Sequence, residues 1–132
     1  MADVMKLEVI TPDRQFYEGE VTMVELTTIN GNIGIYPRHI PMTTVVAPGV
    51  LKIHEAEQLV EAALHAGFVT VMPDKVTILA EIVEWPEEID YARAEEARVR
   101  AERRLGSNNS GLDVARAEAS LKRALVRLEV RH

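Results

Sequence analysis

The pattern of the chain changes once, at Trp85-Pro86, and that single change does most to limit its fold. Before it, short runs of alternating apolar and polar residues are separated by turn residues; after it, apolar positions recur with a helical period to the C-terminus. Strands followed by helices, with no helix between strands, leave no crossover for a parallel sheet. The expectation is an α+β protein: an N-terminal antiparallel β-sandwich over residues 1–86 and a C-terminal antiparallel two-helix hairpin over residues 87–132.

The strand half is punctuated by Thr11-Pro12-Asp13, Asn30-Gly31, Pro48-Gly49 and Pro73-Asp74. Asn-Gly supplies the positive φ of a tight hairpin, and proline with aspartate or glycine starts a turn. Between these lie Leu7 to Ile10, Val21 to Thr28, Val50 to Ile53, Leu59 to Leu64, Gly67 to Val71 and Val76 to Ile82, among eight to ten short strands in all. Leu26, Ile33, Ile35, Val45, Leu51, Val60, Phe68, Val69, Val71, Val76, Ile78 and Leu79 are the expected core, mainly aliphatic because only two Phe and one Trp are available. The segment from Gly31 to Pro41 holds two glycines and two prolines around Tyr36-Pro37-Arg38-His39 and reads as a shaped surface loop. With no Ser, Cys or second His at a useful spacing, His39 reads as a local carbonyl cap.

Pro86 fits a first helical turn, and Glu87, Glu88 and Asp90 place negative charge at the positive end of the helix dipole. A first helix is expected from about Glu87 to Leu105 and a second from about Leu112 to Val130. Gly106-Ser107-Asn108-Asn109-Ser110-Gly111 breaks them with helix-capping residue types. The seam is rich in alanine, so burial there contributes little while helix propensity is high. Sturdy helices with weak mutual packing follow.

The net charge of -6 comes from the strand half, with twelve acidic against five basic residues; the helical half holds ten basic, nine of them arginine, against nine acidic. Asp90, Arg93 and Arg100 share one helical stripe, and Arg116, Arg123 and Arg127 share another. Folded together, five arginines and one acid form a plausible pocket for a phosphate or carboxylate, for which arginine is the better fork. The plainer reading of any one of them is an exposed, salt-bridged helix face. The interleaved glutamates and overall acidity argue against nucleic acid or direct membrane insertion. There is no phosphate-binding glycine loop, no cysteine, no metal-ligand cluster and no apolar run of about 18 residues.

Three stretches carry a resemblance. Gly34-Ile35-Tyr36-Pro37-Arg38-His39-Ile40-Pro41 is similar to the G-I-x-P-G-H-x-P loop of the epsilon subunits of bacterial F-type ATP synthases, and Pro73 to Leu79 resembles their strand before the hairpin. Ile89-Asp90-x-x-Arg93-Ala94 matches the I/L-D-x-x-R-A pattern of the ATP-binding members. Arg38 stands where glycine is usual, and Asn32 where an acidic residue is common. The resemblance implies a ten-stranded sandwich with a helical hairpin, and a rotor role at the cytoplasmic face of the bacterial membrane. There the sandwich joins the gamma subunit and the c-ring and helps couple proton or sodium flow to rotation. It implies no catalysis by this chain. The hairpin extends into the catalytic alpha/beta head to block ATP hydrolysis, or folds back and holds ATP as a regulatory ligand, with the need for Mg²⁺ open. By position, Glu84, Asp90, Arg93, Arg100, Arg123 and Arg127 are the implied ATP residues, and Asn32, Tyr36, Arg38 and His39 the implied partner contacts. The other reading is a β-domain adaptor with a purely structural helical arm.

Overall fold

The computed structural model describes residues 3–106 and 111–130, with side chains omitted at 111–113. Among the described residues eight strands are formed: β1 Met5–Ile10, β2 Gln15–Val21, β3 Met23–Thr28, β4 Gly31–Ile35, β5 Met42–Val46, β6 Gly49–His54, β7 Leu59–Val71 and β8 Lys75–Glu84. A 3₁₀ turn at Pro86–Glu88 leads to α1 Tyr91–Leu105 and α2 Gly111–Glu129. The count is at the low end of the expected range because Leu59 to Val71, which read as two strands, is one long bent strand.

That bend organises the sandwich. The C-terminal half of β7 pairs with β5 (Thr43 opposite Thr70), while its N-terminal half pairs with β6 (Lys52 opposite Glu61). Strand β8 follows β7 along its length, and the register slips between Leu64 and Gly67. One layer is therefore β2-β1-β8-β7-β5, and the other continues from the same two long strands through β6 to β3 and β4. Gly67 sits at the slip with φ of 147°, a conformation that L side chains rarely adopt. A Cβ there would lie 2.1 Å from the Leu79 carbonyl oxygen. Glycine is required both by torsion and by space.

Two features depart from the sequence expectations. The sandwich is not wholly antiparallel: β1 runs parallel to β8, with Leu7 opposite Val76 and Val9 opposite Ile78. The long return through all the intervening strands makes that pairing possible without a helical crossover. Val45, Phe68 and Leu79 are not core. They are directly opposite one another across β5, β7 and β8, and are 37%, 54% and 51% exposed on the outer face. Their neighbours Val46, Val69 and Ile78 point inward, so alternation, not hydrophobicity, decided which went inside. The remaining core is aliphatic as expected, with Leu7, Ile35, Leu51, Ile53, Leu64 and Ile78 fully buried.

The first helix begins later than expected, while the second begins within one residue of its expected start. Pro86–Glu88 forms only a 3₁₀ turn, Ile89 and Asp90 are extended, and α1 starts at Tyr91 with Asp90 as its N-cap. Helices α1 and α2 pack on each other with Ala94, Ala101, Ala117 and Ala124 buried. Gly106 ends α1, its amide donating to the Glu102 carbonyl at 3.1 Å. The expected breaker at Ser107 to Ser110 lies outside the described residues.

Replacing Gly67 with alanine is expected to cost about 2–4 kcal/mol, the sum of an unfavourable torsion and a backbone clash. Urea unfolding of the variant followed by circular dichroism measures it.

Candidate functional site

The hairpin rests on the sandwich, with α2 lying against β6 and β7. The apolar part of the contact is small: Ile89 from the linker, Ala63 from β7, and Val126 and Val130 at the end of α2, with Val50 and Tyr91 at its margin. The polar part is a three-membered cluster. Glu84, the last residue of β8, accepts a hydrogen bond from Arg127 Nε of α2 at 2.7 Å on Oε1. His65 Nε2 of β7 lies 3.1 Å from the same oxygen. His65 is buried, and the Glu84 and Arg127 side chains are about three-quarters covered.

Burial works against a charged Glu84. The hydrogen bonds from His65 and Arg127 and the charge of Arg127 outweigh it, and hold the carboxyl below its ordinary range. A carboxylate whose folded pKa is depressed contributes stability above its unfolded pKa and loses it as pH falls through the folded value. The docking bond is thus intact at neutral pH and lost only in acid.

The linker is held separately. Arg14 Nη2 lies 2.8 Å from both oxygens of Glu88, and Glu88 Oε1 also accepts from the Trp85 amide at 2.9 Å. Arg14 covers the Phe16 ring at 5.0 Å, and Phe16 stacks on Trp85 at 4.1 Å. Tyr17 meets the indole edge and donates to Glu55 at 2.6 Å, with burial and Glu55 together pushing the phenol pKa up. Residues 85–88 are in this way fastened to β2, whereas Ile89 and Asp90 are the extended steps between that anchor and α1.

The other implied nucleotide residues are arranged less tightly. Asp90 Oδ1 accepts from the Arg93 backbone amide at 3.1 Å; the contact is a helix cap and not the i, i+3 ion pair that the spacing suggests. Arg93 and Arg100 are exposed on α1, with no ion-pair partner found among the described residues. Arg123 Nη2 reaches Ser120 Oγ at 3.3 Å, one turn before Arg127. Arg116 is exposed on α2. So the structure joins Glu84 to Arg127 and Asp90 to the Arg93 backbone, but does not close all six residues on one point. A separate groove of about 540 Å³ lies on the other flank of α2, between it and β3, β4 and β6. Asn32, Lys52, Lys122 and Leu125 line it, and none of the six does.

The implied partner residues cluster on β4 and the loop after it. Asn32 accepts from Thr27 Oγ1 at 2.8 Å, and Tyr36 is 58% exposed. Arg38 takes φ of 65°, the left-handed conformation that favours glycine; its guanidinium pairs with Asp3 at 2.6 Å and its amide donates to the Pro73 carbonyl at 2.7 Å. His39 Nδ1 lies 2.7 Å from the Ile40 carbonyl, which is the local cap read from the sequence. His65 was not singled out by sequence reasoning. A lone histidine in an apolar strand carries no spacing signal, and only the burial and the shared oxygen expose it.

The class the architecture defines is a β-sandwich carrying a docked two-helix arm. The family described as the beta-sandwich domain of the ATP synthase Delta/Epsilon chain matches residues 4–86, and the one described as its long alpha-helix domain matches residues 87–131. The chain belongs to the ATP synthase delta/epsilon chain family, as an epsilon chain, and is by that membership a non-catalytic subunit. It is 49% identical over 131 residues to the ATP synthase epsilon chain of Caldanaerobacter subterraneus subsp. tengcongensis, covering 98% of this chain and 95% of that one. The epsilon chain of Halalkalibacterium halodurans is 44% identical over 127 residues, with 96% of each covered. In fold it is similar to a chain in the Euglena gracilis mitochondrial ATP synthase, at a TM-score of 0.83 and 21% identity, covering 96% of this chain and 79% of that one. A chain in the central stalk and c-ring structure from Tetrahymena thermophila has a TM-score of 0.72 at 13% identity, with 97% and 96% covered. No helix among the described residues is long and apolar enough to cross a membrane.

Replacing Arg127 with alanine is expected to loosen the hairpin by about 1–3 kcal/mol, because Glu84 keeps its burial and loses its cation. Hydrogen exchange should quicken in α2 and not in β1 or β8. Acidification of the unmodified protein should produce the same loosening, and Glu84→Gln should flatten that pH dependence.

Proposed function

We propose that this chain is a central-stalk rotor subunit whose hairpin is a two-state regulatory arm. The sandwich joins the gamma subunit and the c-ring through the loop carrying Tyr36, Arg38 and His39 with neighbouring Asn32, at the cytoplasmic face of the bacterial membrane. Rotation of that assembly is coupled to proton or sodium flow. In the closed state the hairpin lies on the sandwich; in the extended state its basic faces meet the alpha/beta head and restrain ATP hydrolysis. ATP, acting as a signal and not a substrate, holds the closed state.

The observation that carries the reading is the small size of the apolar contact under the docked arm among the described residues, Ala63, Ile89, Val126 and Val130, beside the Glu84–Arg127 ion pair. Docking of that size is poised to be shifted by a ligand. A ligand at about 100 times its Kd adds about 2.7 kcal/mol to the state it binds. Arg93, Arg100, Arg123 and Arg127 would meet the phosphates through charge-assisted bonds. Asp90 would orient the start of α1, and Glu84 would accept from the adenine amino group or the ribose.

A second reading has its own support. Glu84 and Arg127 already satisfy one another, so the docked arm is complete without nucleotide, as a purely structural arm would be.

ATP is expected to raise the melting temperature of the isolated chain by several degrees and to slow tryptic cleavage within α1. Asp90→Ala with Arg93→Ala should remove both effects and leave the strand core intact. Calorimetric titration showing no heat of binding, together with an unchanged melting temperature, would leave the structural arm as the function.

A further inference from the structure

Among the described residues one buried side-chain polar atom has no hydrogen-bond partner, His65 Nδ1. The other ring nitrogen of the same residue is 3.1 Å from Glu84 Oε1, the oxygen that Arg127 Nε holds at 2.7 Å. His65 is 2% exposed and lies in the register slip of β7, between Leu64 opposite Val83 and Ala66 opposite Ile82. A strand slip of this kind re-aims a side chain, and here the re-aimed group meets the carboxylate that docks the arm.

The chemistry of the two nitrogens follows from these contacts. An ionised carboxylate only accepts hydrogen bonds, so Nε2 must carry the proton. Nδ1 has no partner, and orphaned buried N–H groups are rarer than under-filled acceptors, which favours the Nε2–H tautomer. We propose that His65 is a positioning residue of the docked arm. As a neutral Nε2–H imidazole it holds the Glu84 carboxylate so that Oε1 faces Arg127. The charged groups it meets are Glu84 from β8 and Arg127, through Glu84, from α2. The role presupposes an arm that docks and releases, and in that sense it rests on the two-state reading; it does not depend on nucleotide.

The test uses the full chain without ATP at neutral pH. In a ¹⁵N-histidine spectrum, with His65 assigned by its loss in His65→Gln, Nε2 is expected to be protonated and Nδ1 bare. A ring protonated on Nδ1, alone or as imidazolium, overturns the proposal. His65→Leu should speed tryptic cleavage of the hairpin by about fivefold or more, as expected when a charged group loses a donor. It should also return the Glu84 carboxyl titration toward its ordinary range. His65→Gln, whose side-chain amide donates from a similar position, should restore slow cleavage and the depressed Glu84 titration. Cleavage and titration unmoved by leucine, or glutamine behaving as leucine does, would reduce His65 to packing and overturn the proposal. If the leucine variant does not fold, the tautomer and the glutamine variant decide. Failure of ATP to bind would defeat the nucleotide reading and leave each of these results unaffected.

Discussion

The slip of register in β7 is the constraint on which the rest of the molecule depends. A straight strand of this length would serve one layer; bent at Gly67, it is paired with β5 beyond the bend and β6 before it, and so closes a sandwich from few strands. The same slip places Ala63 and His65 on the ground that α2 occupies, one in the apolar contact and the other beside Glu84. Sheet closure and the seat of the hairpin thus share one backbone irregularity.

Two clusters divide the labour at the junction. Arg14, Phe16, Trp85 and Glu88 fasten the end of the sandwich to the 3₁₀ turn, using an ion pair from one guanidinium nitrogen to both carboxylate oxygens and stacked rings. Glu84, His65 and Arg127 hold the far end of the chain, using hydrogen bonds to a single carboxylate oxygen. Only Ile89 and Asp90 lie between the anchor and α1. Movement of the hairpin as a body would concentrate torsional change at those two extended residues. The buried alanines at the α1–α2 seam allow the two helices to lie close together.

Local chemistry was legible where it depended on neighbours in sequence. The turn residues placed the hairpins: Gly31 takes φ of 111° at the start of β4, as Asn-Gly predicted. His39 caps a carbonyl one residue away. Arg38 shows the limit of substitution by resemblance, for it occupies the glycine position of the loop and adopts the glycine conformation, with Asp3 and Pro73 as compensating partners. The start of α1 was misplaced because Pro86 and the glutamates resemble a helix opening. Asp90 proved the better cap, and the 3₁₀ turn was held by Arg14 from the turn before β2.

The sequence by itself determined the order of strands before helices, the aliphatic core, the turn positions and the arginine-rich character of the arm, because each is written in periodicity or in adjacent residues. Tertiary structure alone decided that Val45, Phe68 and Leu79 face outward, that β1 runs parallel to β8, that Arg127 and not Arg93 or Arg100 meets Glu84, and that His65 stands behind that carboxylate. These outcomes depend on register and on contacts between residues far apart in the chain. A shift of one residue in β7 would reverse every face it presents.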